Sequence, residues 1–190
     1  VLAGLNDHRS THWVRWSLPT FQELPKSTSP FVALNAEFDA KGTHILSSDP
    51  RGTFRSFELS SGIIHYEIPA ARDTTHALSS DSTLAAIIAP DGAPEIRATE
   101  SGKLLGRIPS GEVGIKEMRF SPDNSQLYIV GNDSIIRGWS GKDWLTPTLQ
   151  VSHSTPITAT TIGSNSLFCG TRSGDIVRWD IRKQQSIPFT

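Results

Sequence analysis

An aromatic-centred segment returns in this chain every 40 or 41 residues, and that period limits the fold more than any single residue does. Its anchors are Trp16, Phe57, Ala98, Trp139 and Trp179, spaced 41, 41, 41 and 40. Around them the text repeats as Val14-Arg15-Trp16-Ser17, Arg55-Ser56-Phe57-Glu58, Ile96-Arg97-Ala98-Thr99, Arg137-Gly138-Trp139-Ser140 and Val177-Arg178-Trp179-Asp180. A second marker keeps the same beat. A large apolar residue followed by turn chemistry recurs as Phe38-Asp39-Ala40-Lys41-Gly42, Leu78-Ser79-Ser80-Asp81-Ser82, Phe120-Ser121-Pro122-Asp123-Asn124 and Ile162-Gly163-Ser164-Asn165-Ser166. Asp, Asn, Ser, Gly and Pro hold tight turns or tolerate left-handed backbone. A third marker, Ser61-Gly62 and Ser101-Gly102, opens a new apolar run in two of the units.

Each unit reads as four short strands, a to d. In the clearest, a is 157–162, b 167–171, c 175–181 and d 185–189. Apolar residues alternate or cluster in runs of four to six, and a turn former interrupts almost every ten residues, so no long helix is expected. A period near 40 with four strands per unit is the signature of a β-propeller blade. The expected fold is all-β, a propeller of four-stranded antiparallel blades with about 4.75 blades present. The units are 1–28 (strands b, c and d only), 31–69, 70–109, 113–151 and 155–189, all in one propeller domain.

Hydrophobic residues make up 36% of the chain, enough for a continuous core if the units stack. With 18 basic against 19 acidic residues, no global field draws in nucleic acid or an anionic membrane. Cys169 is the only cysteine, which excludes an intrachain disulfide and a cysteine-based zinc site and leans intracellular, cytoplasmic or nuclear. The longest apolar run, 84–89, is far short of the roughly 20 residues of a spanning helix.

The last unit resembles the WD40 repeat family. Ser152-His153 stands where that family has Gly-His, Trp179-Asp180 is its terminal dipeptide, and 167–180 follows its strand b, turn and strand c without a gap. Phe120-Ser121-Pro122-Asp123 is similar to its a–b turn. The resemblance covers the whole chain in period and residues 113–190 in motif. It implies a buried network in each blade of a His, a strand-b Ser or Thr, a turn Asp and the Trp. Here that network is incomplete. His153 and Trp179 match, with Cys169 and Ser173 in the other places; Asp133 and Trp139 match without a His; Ser47 matches beside Arg51 and Phe57. The blades are therefore expected to rest mainly on apolar packing, with Trp16, Phe57, Trp139, His153, Trp179 and Asp180 as structural anchors. The resemblance is to a divergent member. Such propellers usually close with seven blades, so the chain reads as a fragment of a larger propeller; closure of five units alone or with a partner chain is the alternative.

No H-E-x-x-H, G-x-S-x-G or phosphate-loop motif is present. Gly141-Lys142-Asp143 lacks the glycine spacing and the hydroxyl residue of a phosphate loop. No catalytic, cofactor-binding or metal-binding residue is assigned, and no cofactor is expected. Arg9, Arg51 and Arg172 sit in b–c turns and would face one end of the ring, where a planar guanidinium suits carboxylate or phosphate. The competing reading pairs them locally with Asp7, Asp49 and Asp175. Trp13 and Trp144, outside the anchor phase, are contact residues if exposed and inter-blade or rim packing if not; Trp144 reads as the opening of strand d. The function expected is a non-catalytic protein-protein interaction scaffold, part of a larger multidomain protein or complex. Its partners would be other proteins or the remaining blades of the same propeller, including an acidic or phosphorylated peptide, with no membrane. The alternative is a small-molecule-binding or hydrolytic propeller: Tyr128-Ile129-Val130-Gly131-Asn132 also resembles repeats of lactonase-like propellers. Convergent carboxylates or a metal in the central channel would favour it.

Overall fold

The computed structural model describes residues 2–6, 11–17, 19–29, 31–39, 41–72, 75–109, 114–163, 166–181, 183 and 185–187, with backbone alone for 2–6, 15 and 24–29. Among them are 19 strands and no helix, in five sheets that follow one another along the chain. The first holds β1 (Leu2–Asn6), β2 (Thr11–Trp16) and β3 (Glu23–Ser29). The second holds β4 (Asn35–Phe38), β5 (His44–Ser48), β6 (Thr53–Glu58) and β7 (Ile64–Pro69). The third holds β8 (Ala77–Leu78), β9 (Leu84–Ile88), β10 (Pro94–Ala98) and β11 (Leu104–Arg107). The fourth holds β12 (Ile115–Phe120), β13 (Gln126–Gly131), β14 (Ile135–Ser140) and β15 (Pro147–Ser152). The fifth holds β16 (Ile157–Ile162), β17 (Ser166–Thr171), β18 (Ile176–Asp180) and β19 (Gln185–Ile187).

Every sheet is an antiparallel meander in strand order. The expected strands of the last unit agree to within a residue at each described end, and residues 188–190 lie outside the description. Short strands alternating within each sheet with connections of three to six residues leave each sheet two faces to cover. Consecutive sheets cover them for one another. Trp13 of the first packs with Ile45, Phe57 and Leu59 of the second. Leu46 and Phe54 of the second pack with Ala85 and Ile87 of the third. Ile88, Ile96 and Ile108 meet Met118, Phe120 and Leu127. Val130, Ile136 and Val151 meet Ile157, Leu167 and Cys169. The core thus lies between sheets, the radial repetition of a β-propeller.

The a–b turns form as the sequence implies. Asp39, Ser79 and Ser121 open them, and Gly42, Ser82 and Asn124 close them with positive φ. In two of them a Ser-x-Asp pair ties the turn: Ser79 Oγ donates to Asp81 at 2.7 Å and Ser121 Oγ to Asp123 at 2.6 Å.

One anchor is corrected by the register. Phe38 pairs with Ile45 and Ile45 with Phe57; Phe120 pairs with Leu127 and Leu127 with Trp139; Ile162 pairs with Leu167 and Leu167 with Trp179. In the third sheet Leu78 pairs with Ala85, and Ala85 with Arg97. Arg97, not Ala98, therefore holds the anchor position, and the beat is 41, 40, 42 and 40. The turn that follows agrees. Gly62, Gly102 and Trp144, each five residues past its anchor, donate their amides to Glu58, Ala98 and Ser140. The guanidinium stays largely inside because each of its three nitrogens donates a hydrogen bond. Arg97 Nε and a terminal nitrogen donate to Glu95 Oε2 at 2.9 and 2.6 Å, and the other terminal nitrogen donates to the Gly102 carbonyl at 2.7 Å.

Candidate functional site

The anchors are structural in different degrees. Phe57 is fully buried, edge-on to Phe31 at 5.1 Å. Trp139 and Trp179 are half-buried against the clusters between the third and fourth and the fourth and fifth sheets. Trp16 is half-buried, and Asp180 caps the turn after β18 by accepting the Lys183 amide at 2.9 Å. In the fifth blade a hydroxyl relay stands in for the network that the sequence leaves incomplete. The Thr155 amide donates to His153 Nδ1 at 3.2 Å, with Thr155 Oγ1 2.9 Å from the same nitrogen. Ser173 Oγ lies 2.8 Å from Thr171 Oγ1 and donates to Asp175 at 2.6 Å. In the second blade Ser47 Oγ is buried with no hydrogen-bond partner among the described residues, which leaves that blade on apolar packing.

Trp13 and Trp144 are corrected as contact residues: both are interior. Trp13 is 2% exposed and meets the Phe57 ring at 5.9 Å. Trp144 is 6% exposed, edge-on to Phe120 at 6.0 Å and pressed onto Gly106 of the neighbouring sheet. Nor does Trp144 open strand d. It holds the left-handed turn position (φ 58°), and β15 begins at Pro147.

The b–c turns carry the arginines. Arg9 and Asp7 lie outside the described residues. The local pairing expected for the other two does not form. Asp49 Oδ1 accepts the Arg51 and Thr53 amides of its own turn, both at 2.9 Å, which aims Oδ2 along β6 at Arg55, 2.6 Å away. Burial raises the Asp49 carboxyl, yet Arg55 and the turn amides outweigh it and hold it below its ordinary value. Asp91 is paired with Arg107, and Asp133 with Arg137 at 2.7 Å. Asp175 takes the Ser173 hydroxyl rather than Arg172. The side chains of Arg51 and Arg172 are exposed and make no ion pair with the described residues. Sequence reasoning missed Arg72. The Gly52 Cα lies so near it that a Cβ there would stand 3.3 Å from Arg72 Cγ, which brings Arg72 beside the Arg51 turn. Its only signal was its place in the d–a loop.

The inner strands hold the other site. β8 and β16 lie against β12, and a cavity of about 370 Å³ opens among them, lined by Glu37, His76, Glu117, Arg119 and both hydroxyl-bearing and apolar neighbours. Arg119 Nε donates to Glu117 Oε1 at 2.9 Å, and Thr160 Oγ1 donates to Glu117 Oε2 at 2.6 Å, so Glu117 joins two blades. Glu37 faces the cavity with its carboxyl pushed up by the surrounding walls against the pull of Arg119. Among the described residues no three His, Cys, Asp or Glu side chains come together as a metal site. Cys169 is buried and its thiol is pushed up to about 11 by burial, which keeps it protonated and unreactive.

His76 lies edge-on to Phe54 at 5.3 Å, with neither ring nitrogen hydrogen-bonded among the described residues. Burial pushes its pKa down from 6.5 to about 4. As pH falls, the unfolded chain takes up this proton first. Stability is therefore complete above about pH 6.5 and falls between about 6.5 and 4, by roughly 3 kcal/mol in total at about 1.4 kcal/mol per unit. The turn carboxylates Asp39, Asp81 and Asp123 are held low and add their own loss only below about pH 4. Urea unfolding across this range should show a native chain that loses stability toward low pH more steeply than His76→Leu, the difference amounting to roughly 3 kcal/mol. Parallel pH profiles for the two chains would refute the assignment.

No family model and no curated protein matches the chain. Solved structures do: 1480 chains share its architecture, a breadth that fixes a fold without selecting a function. One is a chain in the crystal structure of the mitotic checkpoint complex. Its TM-score is 0.77 at 14% identity, and the match covers 98% of this chain and 61% of that chain. The fold is a β-propeller. The chain spans less than two thirds of that neighbour's length. No helix among the described residues is long and apolar enough to cross a membrane.

Proposed function

We propose that this chain is a non-catalytic protein-protein interaction scaffold, a divergent WD40-type propeller that belongs to a larger propeller and a larger protein or complex. The observation that carries this reading is the charge pattern at the b–c end. Asp49, Asp91 and Asp133 are each neutralised by an arginine of their own blade, while Arg51, Arg72 and Arg172 form no ion pair with a carboxylate among the described residues. Unpaired guanidinium groups on rigid turns suit an acidic or phosphorylated segment of a partner. Residues 1–28, 31–69, 70–109, 113–151 and 155–189 are its repeat units, with the 61% coverage of a solved propeller chain in favour of further blades. The buried single cysteine fits an intracellular setting. Arg51→Glu with Arg172→Glu should weaken a phosphorylated peptide selected against the native chain by about tenfold or more, since each loses a charge-assisted contact. Unchanged affinity in a fluorescence-anisotropy titration would sink this reading.

The hydrolytic alternative draws on Glu37 and Glu117, which share a cavity. Glu117 is held by Arg119 and Thr160, which favours binding over acid–base work at that site.

A further inference from the structure

We propose that Phe21 is the contact through which the first sheet docks a further blade of the same propeller, one that presents glycine or another small residue in its outer strand. The inference rests on the larger-propeller reading above and names the surface that meets the added blade. Phe21 belongs to a series. Its amide donates to the Ser17 carbonyl at 2.9 Å, as those of Gly62, Gly102 and Trp144 donate to Glu58, Ala98 and Ser140. Each of the four stands five residues past its anchor, and all have positive φ, at 52°, 72°, 69° and 58° in chain order. Residue 184, next in the series, lies outside the described residues.

These turn residues meet the sheet before their own. Trp144 lies on Gly106 of β11, where a Cβ would overlap the indole. Gly102 lies on Tyr66 of β7, whose ring is 2.8 Å from where a Cβ of Gly102 would stand. The two outer-strand positions are equivalent: Gly106 pairs with Ile96 and Tyr66 with Ser56, each the residue before an anchor. Both interfaces therefore seat one large side chain against one glycine, and they differ only in which sheet supplies it. Phe21 is the large member of such a pair. It is 68% exposed, the most exposed large apolar side chain among the described residues. Exposure alone is ordinary. An aromatic held left-handed is not, because the strain needs packing to offset it, as Gly106 offsets it for Trp144. The fifth sheet does not supply the small member. Its equivalent residue, paired with Arg178 just before Trp179, is Ile187. Closing the ring on itself, or end to end with a second copy, sets two large side chains together where the other interfaces set one. Along this chain each sheet is covered by its neighbour in sequence, which assigns the further blade to the same polypeptide, outside residues 1–190.

The test uses the native polypeptide with a benzophenone amino acid in place of Phe21. Irradiation should join residue 21 to a glycine, alanine or serine in an outer strand of that polypeptide, outside residues 1–190, read out by mass spectrometry of the digest. Phe21→Gly should lower the thermal midpoint of the same polypeptide by about 3–6 °C, because the lost packing outweighs the relief of strain. On an exposed turn the sign reverses, since glycine then only relieves strain. A cross-link to a large residue, to a strand other than an outer one, or to a different protein overturns this proposal and leaves the larger propeller standing. A cross-link to residues 185–190, in the same chain or a second copy, overturns both. No cross-link, or a midpoint that holds or rises in Phe21→Gly, overturns the proposal; the titration of Arg51→Glu with Arg172→Glu reads the partner surface separately.

Discussion

Trp144→Ala will lower the unfolding free energy by about 3–5 kcal/mol, and Trp144→Gly will lower it by about 1 kcal/mol less. The first figure follows from burial. The indole fills the space between the third and fourth sheets, edge-on to Phe120 and close against Gly106, where a Cβ would overlap it. Truncation opens a cavity between two rigid sheets, and neither can collapse without disturbing its other neighbour. The second figure reverses the usual order of alanine and glycine. Residue 144 has φ 58°, and the equivalent turn residues Gly62 and Gly102 have 72° and 69°. Alanine keeps the left-handed strain and loses the packing that repaid it, whereas glycine sheds the strain. Urea unfolding of the two variants measures the difference directly. Glycine as the worse substitution would show that residue 144 is not held left-handed.

This residue also shows where the sequence stops being legible. The propeller, the antiparallel blades and the strand ends of the last unit follow from period and turn chemistry, because those depend on residue class and spacing alone. Trp144 was misplaced because a large aromatic at a left-handed turn position breaks the local rule that glycine signals it. The packing that compensates comes from Gly106, 38 residues away. The slip from Arg97 to Ala98 has a different cause. The loops of this chain vary by a residue, so a constant spacing lands on Ala98, whereas Gly102 marks the turn five residues past the true anchor. The arginines at the b–c end illustrate a third limit. Adjacency suggested Asp49 with Arg51, but turn amides took one carboxylate oxygen and the strand pleat brought Arg55 to the other. The inner cavity had no sequence signal, since Glu37 and Arg119 come from the second and fourth sheets and His76 from the loop before the third.

Arg97→Met will cost about 3–5 kcal/mol, and adding Glu95→Leu will return most of it. In the native chain the Glu95 and Arg97 side chains are 9% and 17% exposed, joined at 2.6 Å in the place where other blades set Phe57, Trp139 or Trp179. The pair itself contributes little, since desolvation of two charges nearly cancels their attraction. The cost of the single variant comes from what remains: the Glu95 carboxyl buried without its guanidinium, and the Gly102 carbonyl without its donor. The double variant removes the stranded carboxyl and replaces the pair by apolar side chains of similar volume, which restores the kind of contact the neighbouring interfaces use. It should unfold within about 1 kcal/mol of the native chain, with a coupling energy of about 2–3 kcal/mol in the double-mutant cycle. Additive losses would mean that Arg97 acts through packing alone. The expected coupling would instead show that this blade kept its beat after losing its aromatic by exchanging one self-contained contact for another. Such exchange is how a fixed period survives in a chain whose anchor residues have changed.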